Sequence, residues 1–369
     1  MLRRMHPTLA LLCDLIAIDS VNPGLVPGAA GERAISEFLA NELRGIGADV
    51  ELTEIAPDRW NVIGVIEGKA KGRTLMLCGH SDTVGVEGMA APFTPRIEGD
   101  RIYGRGAQDM KAGCASIVGA AKHIAQNGGL ARGSLVLAFV ADEEYMSIGA
   151  EAVAKQWKAD GAIVCEPTDL MIAVGHKGFS WVEVTTRGIA AHGSRPDEGR
   201  DAIVAMAPIL DGIRNLEQRF IAAPPHPLLG RPSVHASLIN GGRELSTYPD
   251  RCTLQIERRT VDGEADDVAL REVQTFAGDA ETRLLFTRAP YLTPRDSNLP
   301  ELLERAIPNA QRGAMTYWTD AAILGHAGIP TVIFGPGGAG LHGIDEYAKG
   351  SEVITCQEAL VRVAEAFGT

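Results

Sequence analysis

Apolar and polar positions in the first half of the chain alternate between strand-like runs and helical patterns. The runs "TLMLCG", "SLVLAFVA" and "GAIVC" are continuously apolar, as expected of strands that are buried on both faces. The stretches "DMKAGCASIVGAAKHIAQNGG" and "SIGAEAVAKQW" have helical spacing, and Ser147 is the expected N-cap of the second helix. This alternation predicts an α/β fold with a mostly parallel sheet and helices on both of its faces.

The pattern changes near Lys177. The segments "FSWVEVTTRG", "SVHASLINGG" and "CTLQIERRTV" alternate as half-exposed strands do, and "RDAIVAMAPILDGIRNLEQRF" and "EADDVALREVQTFAG" are amphipathic helices. After Pro290 the earlier pattern returns with "IPTVIFGPGG" and a closing helix. We therefore predict one α/β domain formed by residues 1–176 and 290–369, into which an α+β lid of residues 177–289 is inserted.

The N-terminal stretch predicts a helix rather than a secretory signal. Apolar residues recur at helical spacing from Leu9 to Ile16, although two arginines precede them. Asp14 and Asp19 interrupt the stretch, and no small-residue cleavage site follows. No segment approaches the ~20 apolar residues of a membrane span.

Composition narrows the classes of partner and compartment. The 369-residue chain carries a formal net charge of −12 at pH 7, which disfavours nucleic acid or an anionic membrane surface as its main partner. Its six cysteines include no C-x-x-C pair, which favours reduced thiols in a cytoplasmic protein over a disulfide framework.

Polar side chains follow several of the predicted strands at the point where each strand ends. In an open parallel sheet these ends meet at one edge, where ligands bind. Carboxylate and imidazole groups without a thiolate motif suit Zn²⁺, with Co²⁺ or Mn²⁺ as alternatives. The residues concerned are His80, Asp82, Asp142, Glu143, Glu144, Glu166 and His342, together with Asp109, which precedes the helix rich in small residues.

Asp82 follows His80 by two positions in an extended segment. Residues at this spacing point the same way. The Asp82 carboxylate is therefore expected to accept the spare N–H of the imidazole and to orient His80 as a metal ligand.

With these motifs the chain closely resembles a known family, the dinuclear zinc metallopeptidases and deacylases of the M20 type. That family includes acetylornithine deacetylase, succinyl-diaminopimelate desuccinylase, aminoacylase-1 and carboxypeptidase G. The resemblance extends over essentially the whole chain. It is carried by "GHSDTV", "GRGAQDMKAG", "ADEEYMSIGA", "CEPTD", "AAHGSRPDEGRDAI" and "FGPGGAGLHGIDEY".

The resemblance implies a role for each residue at the strand ends. His80 and Glu166 would hold one metal ion. Glu144 and His342 would hold the other, and Asp109 would bridge the two. Asp82 would orient His80, and a cis peptide would follow Asp109.

Catalysis is implied to use a hydroxide that bridges the two ions, with Glu143 as the general base. In the family, the histidine that matches His192 reaches across a homodimer to stabilise the oxyanion, which implies a homodimer formed through the lid.

For the substrate, the resemblance implies that Arg259 binds a carboxylate. Thr319 and the backbone N–H groups of Gly337 and Gly338 would line the substrate end of the pocket, and Lys177 is a weaker candidate. The chain departs from many relatives at Ser246, where they carry an asparagine that helps to bind the carbonyl oxygen.

Three functions remain open. The first is hydrolysis of the amide bond of N-acyl amino acids, as in acetylornithine deacetylase. The second is a di- or carboxypeptidase of the same family, or a succinyl-diaminopimelate desuccinylase-like activity. Under either the first or the second function, the binding partner is a small N-acylated amino acid or a short peptide. The third is a non-catalytic binding protein, which is expected to have lost a ligand or the base, and none is lost.

Overall fold

The computed structural model describes residues 5–368, which fall into two compact units. The first unit comprises residues 5–174, 293–314 and 319–368, and the second comprises 175–292 and 315–318. The two arginines before the first helix, Arg3 and Arg4, lie outside the described residues. The predicted first helix is present.

The described residues form α-helices at nine places and strands at seventeen. The helices are α1 (Pro7–Ile16), α2 (Arg33–Arg44), α3 (Ala112–Gln126), α4 (Ile148–Gln156), α5 (Ala207–Ala222), α6 (Val268–Ala277), α7 (Leu299–Ala306), α8 (Ala321–His326) and α9 (Gly350–Phe367). The strands are β1 (Asp49–Ala56), β2 (Arg59–Glu67), β3 (Thr74–His80), β4 (Arg96–Glu98), β5 (Arg101–Tyr103), β6 (Ser134–Val140), β7 (Gly161–Val164), β8 (Ile172–His176), β9 (Gly178–Arg187), β10 (Ser233–Gly241), β11 (Arg251–Thr260), β12 (Glu281–Arg288), β13 (Tyr291–Leu292), β14 (Arg312–Met315), β15 (Thr331–Ile333), β16 (Gly338–Ala339) and β17 (Tyr347–Lys349).

The main sheet of the first unit has the order β1-β2-β6-β3-β7-β15-β8. Strands β6, β3, β7 and β15 are parallel to one another, whereas β1 and β2 on one side and β8 on the other are added in antiparallel fashion. The expected α/β class with a mostly parallel central sheet is confirmed. The antiparallel strands at both sides are an addition to the predicted pattern.

Helix α3 lies close to the sheet because its residues are small. A Cβ added at Gly113 would come 2.2 Å from the carbonyl oxygen of Cys165, directly after β7. This close approach brings the beginning of α3 to the carboxyl ends of the strands. Asp109 lies just before α3, in a short π-helical turn (Ala107–Lys111) with non-helical dihedrals at Asp109 and Met110.

A small sheet in the first unit has the order β16-β17-β5-β4 and was not predicted. Its strands are only two or three residues long, which is too short for a period-2 pattern to be read. Tyr347 of β17 pairs with Tyr103 of β5. This pairing joins the segment before Asp109 to the loop that carries His342.

The second unit contains a four-stranded antiparallel sheet of order β10-β11-β9-β12, with α5 and α6 packed on one face. Val182, Leu254 and Ile256 point from the sheet into this core, where they meet Ile209 and Val273 of the helices. The fourth strand, β12, was missed by the sequence analysis.

Two further details concern helices. Ser147 occupies the N-cap position of α4 as expected, but its hydroxyl makes no cap hydrogen bond and donates instead to the carbonyl oxygen of Glu143 at 3.4 Å. No helix within residues 5–368 is long and apolar enough to cross a membrane.

Candidate metal centre

Three neighbouring parallel strands end at the same edge of the main sheet. His80 is the last residue of β3, Glu143 and Glu144 follow β6, and Glu166 follows β7. The register pairs His80 with Val140 and Cys78 with Val164, so β3 and β6 end level and β7 ends two residues earlier, with Glu166 two residues beyond its end. The polar side chains that follow them are therefore brought together, as the strand pattern predicts.

One group of possible ligand atoms belongs to His80, Asp109 and Glu166. These atoms all lie within 4.8 Å of one another. Nε2 of His80 is 3.1 Å from Oδ1 of Asp109 and 3.8 Å from Oε1 of Glu166. All three residues are largely or fully shielded from solvent.

A second group is formed by Asp109, Glu144 and His342, again within 4.8 Å of one another. Nε2 of His342 is 3.4 Å from Oδ2 of Asp109 and 3.3 Å from Oε2 of Glu144. Asp109 thus turns one carboxylate oxygen toward each group. Its peptide bond to Met110 is cis, as the resemblance implies.

The residues of both groups fit a pair of divalent cations. Buried oxygens of Glu144 and Glu166 have no hydrogen-bond partner, although buried polar atoms are ordinarily paired. Burial and the negative charge of Asp109 raise the pKa of Glu144 to about 7. Burial, opposed by His80, also raises the pKa of Glu166 well above its usual range. Cations at this place would satisfy the free oxygens and keep the carboxylates ionised.

Glu143 belongs to neither group of ligands. Its Oε2 atom lies 4.0 Å from Nε2 of His80, beside the first group. Burial, and then the negative charge of Glu166, raise the pKa of Glu143 well above its ordinary value. A carboxylate whose proton affinity is raised in this way suits proton transfer near neutral pH.

Asp82 contacts His80 differently from the expectation. Nδ1 of His80 is 3.0 Å from the backbone oxygen of Asp82 and 3.6 Å from its carboxylate Oδ1. The nearest partner of the imidazole is therefore the carbonyl group. The carboxylate instead accepts the backbone N–H groups of Glu143 and Glu144, at 3.1 and 3.2 Å.

Behind Asp82 lies a buried polar network that the sequence analysis missed. Nδ2 of Asn22 donates to the carboxylates of Asp82 (2.7 Å) and Asp142 (3.0 Å). Arg59 donates to Asn22 at 2.9 Å, and its guanidinium also pairs with Asp142 at 2.8 Å and with Glu32. The only sequence signals were a polar Asn in "SVNPG" and a charged residue at the beginning of a buried strand.

Of the expected substrate residues in the first unit, Thr319 is buried and its hydroxyl oxygen accepts the N–H of Ala321 at 3.2 Å. The N–H of Gly337 donates to Oε2 of Glu352 at 2.8 Å, and Gly338 pairs with Ala348 in the small sheet. The expectation for Gly337 is corrected accordingly, because its N–H already has an internal partner.

The remaining candidates lie in the second unit. His192 is exposed, and its Nδ1 is 2.8 Å from the hydroxyl of Ser194. Arg259 donates to Glu257 at 2.7 Å, and its guanidinium lies 5.4 Å from the centre of the Phe179 ring.

Lys177 donates to the backbone oxygen of Arg231. Burial and the nearby positive charge of Arg259 lower the pKa of Lys177. Ser246, the departure from many relatives, is exposed and accepts the N–H of Gly193 through its backbone oxygen at 2.7 Å.

Comparison with known proteins places the chain in the family whose motifs it resembles. A sequence model of peptidase family M20/M25/M40 matches residues 76–366. The chain is 27% identical to an acetylornithine deacetylase of Myxococcus xanthus, over 97% of each chain.

Among solved structures, the chain is similar to a tripeptidase of Staphylococcus aureus. The TM-score is 0.82 at 20% identity, over 98% of each chain. It is also similar to the Bacillus subtilis YXEP protein, a dinuclear metal-binding peptidase of the M20 family. There the TM-score is 0.68 at 18% identity, over 98% of this chain and 97% of the other.

Proposed function

The chain belongs to peptidase family M20/M25/M40, a family of hydrolases that act on amide bonds, and we propose that it deacylates N-acyl amino acids at a pair of divalent metal ions. The observation that carries the proposal is the position of Asp109. Its two carboxylate oxygens face separate groups of ligands, one with His80 and one with His342. A carboxylate shared in this way can serve two metal ions at the separation typical of two-metal catalysis.

The proposed ions are Zn²⁺, held by His80, Asp109 and Glu166 on one side and by Asp109, Glu144 and His342 on the other. Ions bound there would polarise the scissile carbonyl and acidify the attacking water. Imidazole and carboxylate donors without thiolate also suit Co²⁺ or Mn²⁺. The dinuclear character of the Bacillus subtilis neighbour supports two ions rather than one.

The protein's own contribution to the chemistry is proton transfer by Glu143. One of its carboxylate oxygens accepts a proton from the water as the water oxygen attacks the amide carbon. Glu143 then donates this proton to the nitrogen of the leaving amine, and the C–N bond breaks. The acyl group leaves as a carboxylate and the amino acid as a free amine.

For the substrate, we propose a small N-acylated amino acid. The name of the Myxococcus xanthus relative supports deacylation, and Arg259 is the proposed partner of the substrate carboxylate. Thr319 is proposed to line the substrate end of the pocket.

The experiment is a hydrolysis assay of the Zn²⁺-loaded protein on N-acetyl and N-succinyl amino acids, dipeptides and tripeptides, with Glu143→Ala as the control for contaminating hydrolases. A preference for the acyl amino acids is expected. Cleavage of the peptides alone would replace deacylation by the peptidase activity, and no cleavage of any compound would contradict an amide hydrolase.

We also propose a homodimer in which His192 serves the metal centre of the partner. The edge strand β10 of the second unit supports this, because its outer backbone groups have no strand partner among the described residues. Leu238 and Ile239 on this strand are 66% and 54% exposed. An exposed apolar edge of this kind suits pairing with a second copy.

The six cysteines are free thiols, and five of them are buried. This is in keeping with a reducing compartment, and we propose the cytoplasm.

A further inference from the structure

We propose that Arg105 and Glu346 are positioning residues for the second metal ion, the one held by Asp109, Glu144 and His342. The inference rests on the proposed metal centre. It adds that the affinity for this ion, more than for the other, depends on one buried ion pair outside the ligands.

The small sheet brings the two residues together. Arg105 follows β5 by two positions, and Glu346 directly precedes β17, which pairs with β5. Nη1 of Arg105 lies 2.5 Å from Oε2 of Glu346. The side chains are only 2% and 1% exposed, so this is a fully desolvated ion pair.

The carboxylate of Glu346 holds the segment that leads to the shared ligand. Its Oε1 atom accepts the backbone N–H groups of Gln108 at 2.8 Å and Asp109 at 3.1 Å. Its Oε2 atom accepts the N–H of Gly106 at 3.1 Å in addition to the guanidinium. The backbone around Asp109 is therefore fixed by a single side chain that stands four residues after His342 in the sequence.

The guanidinium of Arg105 holds the loop that carries His342. Nη2 donates to the backbone oxygen of Gly343 at 3.1 Å, with a longer contact of 3.4 Å to that of His342. Nε donates to the backbone oxygen of Gly85 at 3.0 Å. One ion pair thus links the backbone of the shared ligand Asp109 to the backbone of the ligand His342.

The two ions differ in how their ligands are supported. His80 ends a central strand and Glu166 follows its neighbour, so the parallel sheet fixes both. His342 lies in a loop, its φ is 59° and its side chain is 55% exposed. Without the ion pair, the distance of the His342 loop from Asp109 depends on the short β5–β17 pairing and on the hydrogen bond from the N–H of Gly104 to the backbone oxygen of Glu346 at 3.2 Å. His80 and Glu166, by contrast, keep their places in the large sheet.

Outer residues that orient metal ligands commonly contribute 10–100-fold to metal affinity. We therefore expect Glu346→Gln to weaken the second ion about 10–100-fold and to change the first by less than about 3-fold. The amide replaces one acceptor oxygen with a donor that faces Arg105 and the N–H of Gly106, so the hydrogen bonds cannot all be kept. Arg105→Lys, which keeps the charge but loses the forked geometry, is expected to act in the same direction.

The experiment is a calorimetric titration of the chelator-treated 369-residue chain with Zn²⁺, together with Co²⁺ absorption spectra of the two loaded states. The matched control is Thr8→Val, which removes a buried hydrogen bond to Gln357 in the same unit, away from the metal ligands. The wild type and this control are expected to bind two ions. The Glu346 and Arg105 variants are expected to bind one ion normally and the second weakly, with a changed spectrum only for the second.

Unchanged affinity for both ions in both variants would overturn the inference and leave the proposed function intact. Equal weakening of both ions, or failure of both variants to fold, would also overturn it, because the pair would then serve the fold as a whole. A wild-type protein that binds fewer than two ions would contradict the proposed function itself, and this inference with it.

Discussion

Oδ1 of Asp82 accepts the backbone N–H of Glu143 at 3.1 Å. The other carboxylate oxygen accepts the N–H of Glu144 at 3.2 Å, and the backbone oxygen of the same aspartate lies 3.0 Å from the ring of His80. One residue therefore fixes the end of β3 to the turn after β6. With both backbones held, the two glutamate side chains separate, and Glu144 lies 3.3 Å from His342 while Glu143 lies beside His80.

This separation predicts different effects for the two glutamates. Glu143→Ala should lower kcat by at least about 10²–10⁴-fold, the usual contribution of a general base, and should leave the content of both ions nearly intact. Glu144→Ala, its matched control on the same turn, should lose the second ion. Metal analysis beside a hydrolysis assay checks both. Loss of both ions from Glu143→Ala would show that the roles of the two glutamates were assigned wrongly.

The grouping of the proposed ligand residues was predictable because each of them stands next to a local signal. His80, Glu144 and Glu166 follow apolar runs that are recognisable as buried strands, and the adjacent parallel strands bring them together. The supporting residues carry no such signal. Arg59 and Asp142 are distant in sequence and meet only because β2 pairs with β6. The partners of Asp142 could therefore not be foreseen.

Strands also differ in whether their own residues give a recognisable pattern in the sequence. Central strands such as β6 are buried along nearly their whole length and are visible as apolar runs. The edge strands β1 and β12 are at least partly exposed at every position, so their polar residues obscure the period of two. The parallel centre of the main sheet was therefore predictable, whereas its antiparallel edge strand β1 and the edge strand β12 of the second unit were not.

The network behind Asp82 predicts a loss of stability in Arg59→Met. The change leaves the buried carboxylates of Asp142 and Glu32 without their cation, which costs about 3–5 kcal/mol when one partner of a buried pair is removed. Denaturant unfolding of the metal-free protein measures this. Thr8→Val, which removes one buried hydrogen bond, should cost less, about 1–3 kcal/mol.

The free energy of unfolding that is lost in Arg59→Met should also depend on pH. Burial already raises the pKa of Asp142, and it raises that of Glu32 to about 8 against the opposing charge of Arg59. Loss of Arg59 raises both pKa values further, so the additional loss of stability should appear as the pH rises through the wild-type pKa of each acid, which for Glu32 is about 8. The loss should therefore be larger near pH 9 than near pH 5. A loss that does not vary with pH, or that is no larger than in the Thr8 variant, would contradict the role of this network.

Metal affinity should rise with pH between about 6 and 9. In the metal-free protein, hydrogen bonds to Asp109 and Glu144 raise the pKa of His342 to about 10, and burial raises that of Glu144 to about 7. Both groups must lose their protons before they can bind an ion. Calorimetry in two buffers of different ionisation enthalpy should therefore detect proton release. His342→Asn should weaken the dependence on pH, and a flat profile in the wild type would contradict the assignment.

Removal of metal should lower thermal stability. Ions present at 100 times their Kd stabilise a protein by about 2.7 kcal/mol per site, and here they also relieve the repulsion among buried carboxylates. Chelation should therefore lower Tm by several degrees, and Zn²⁺ should restore it. Glu144→Ala should show a smaller fall, because one site is already lost. An equal Tm with and without metal would argue against a structured two-ion site.

The proposed role of His192 predicts complementation between two inactive variants. In the proposed dimer, the site of one protomer uses its own Glu143 and the partner's His192. His192→Ala and Glu143→Ala should each be nearly inactive alone. Half of the dimers in an equimolar mixture are mixed, and each mixed dimer contains one complete site. Mixing after dissociation and reassociation should therefore recover about a quarter of the wild-type activity.

Sedimentation of the same samples identifies the species that carries the activity. The matched control is a mixture of Glu143→Ala with Glu144→Ala, which should recover nothing, because both changes affect the same protomer's ligands and base. Recovery in that control would point to exchange of metal or to contamination. An active monomer, or a His192→Ala variant with wild-type kcat, would remove this histidine from catalysis and with it the need for a second copy.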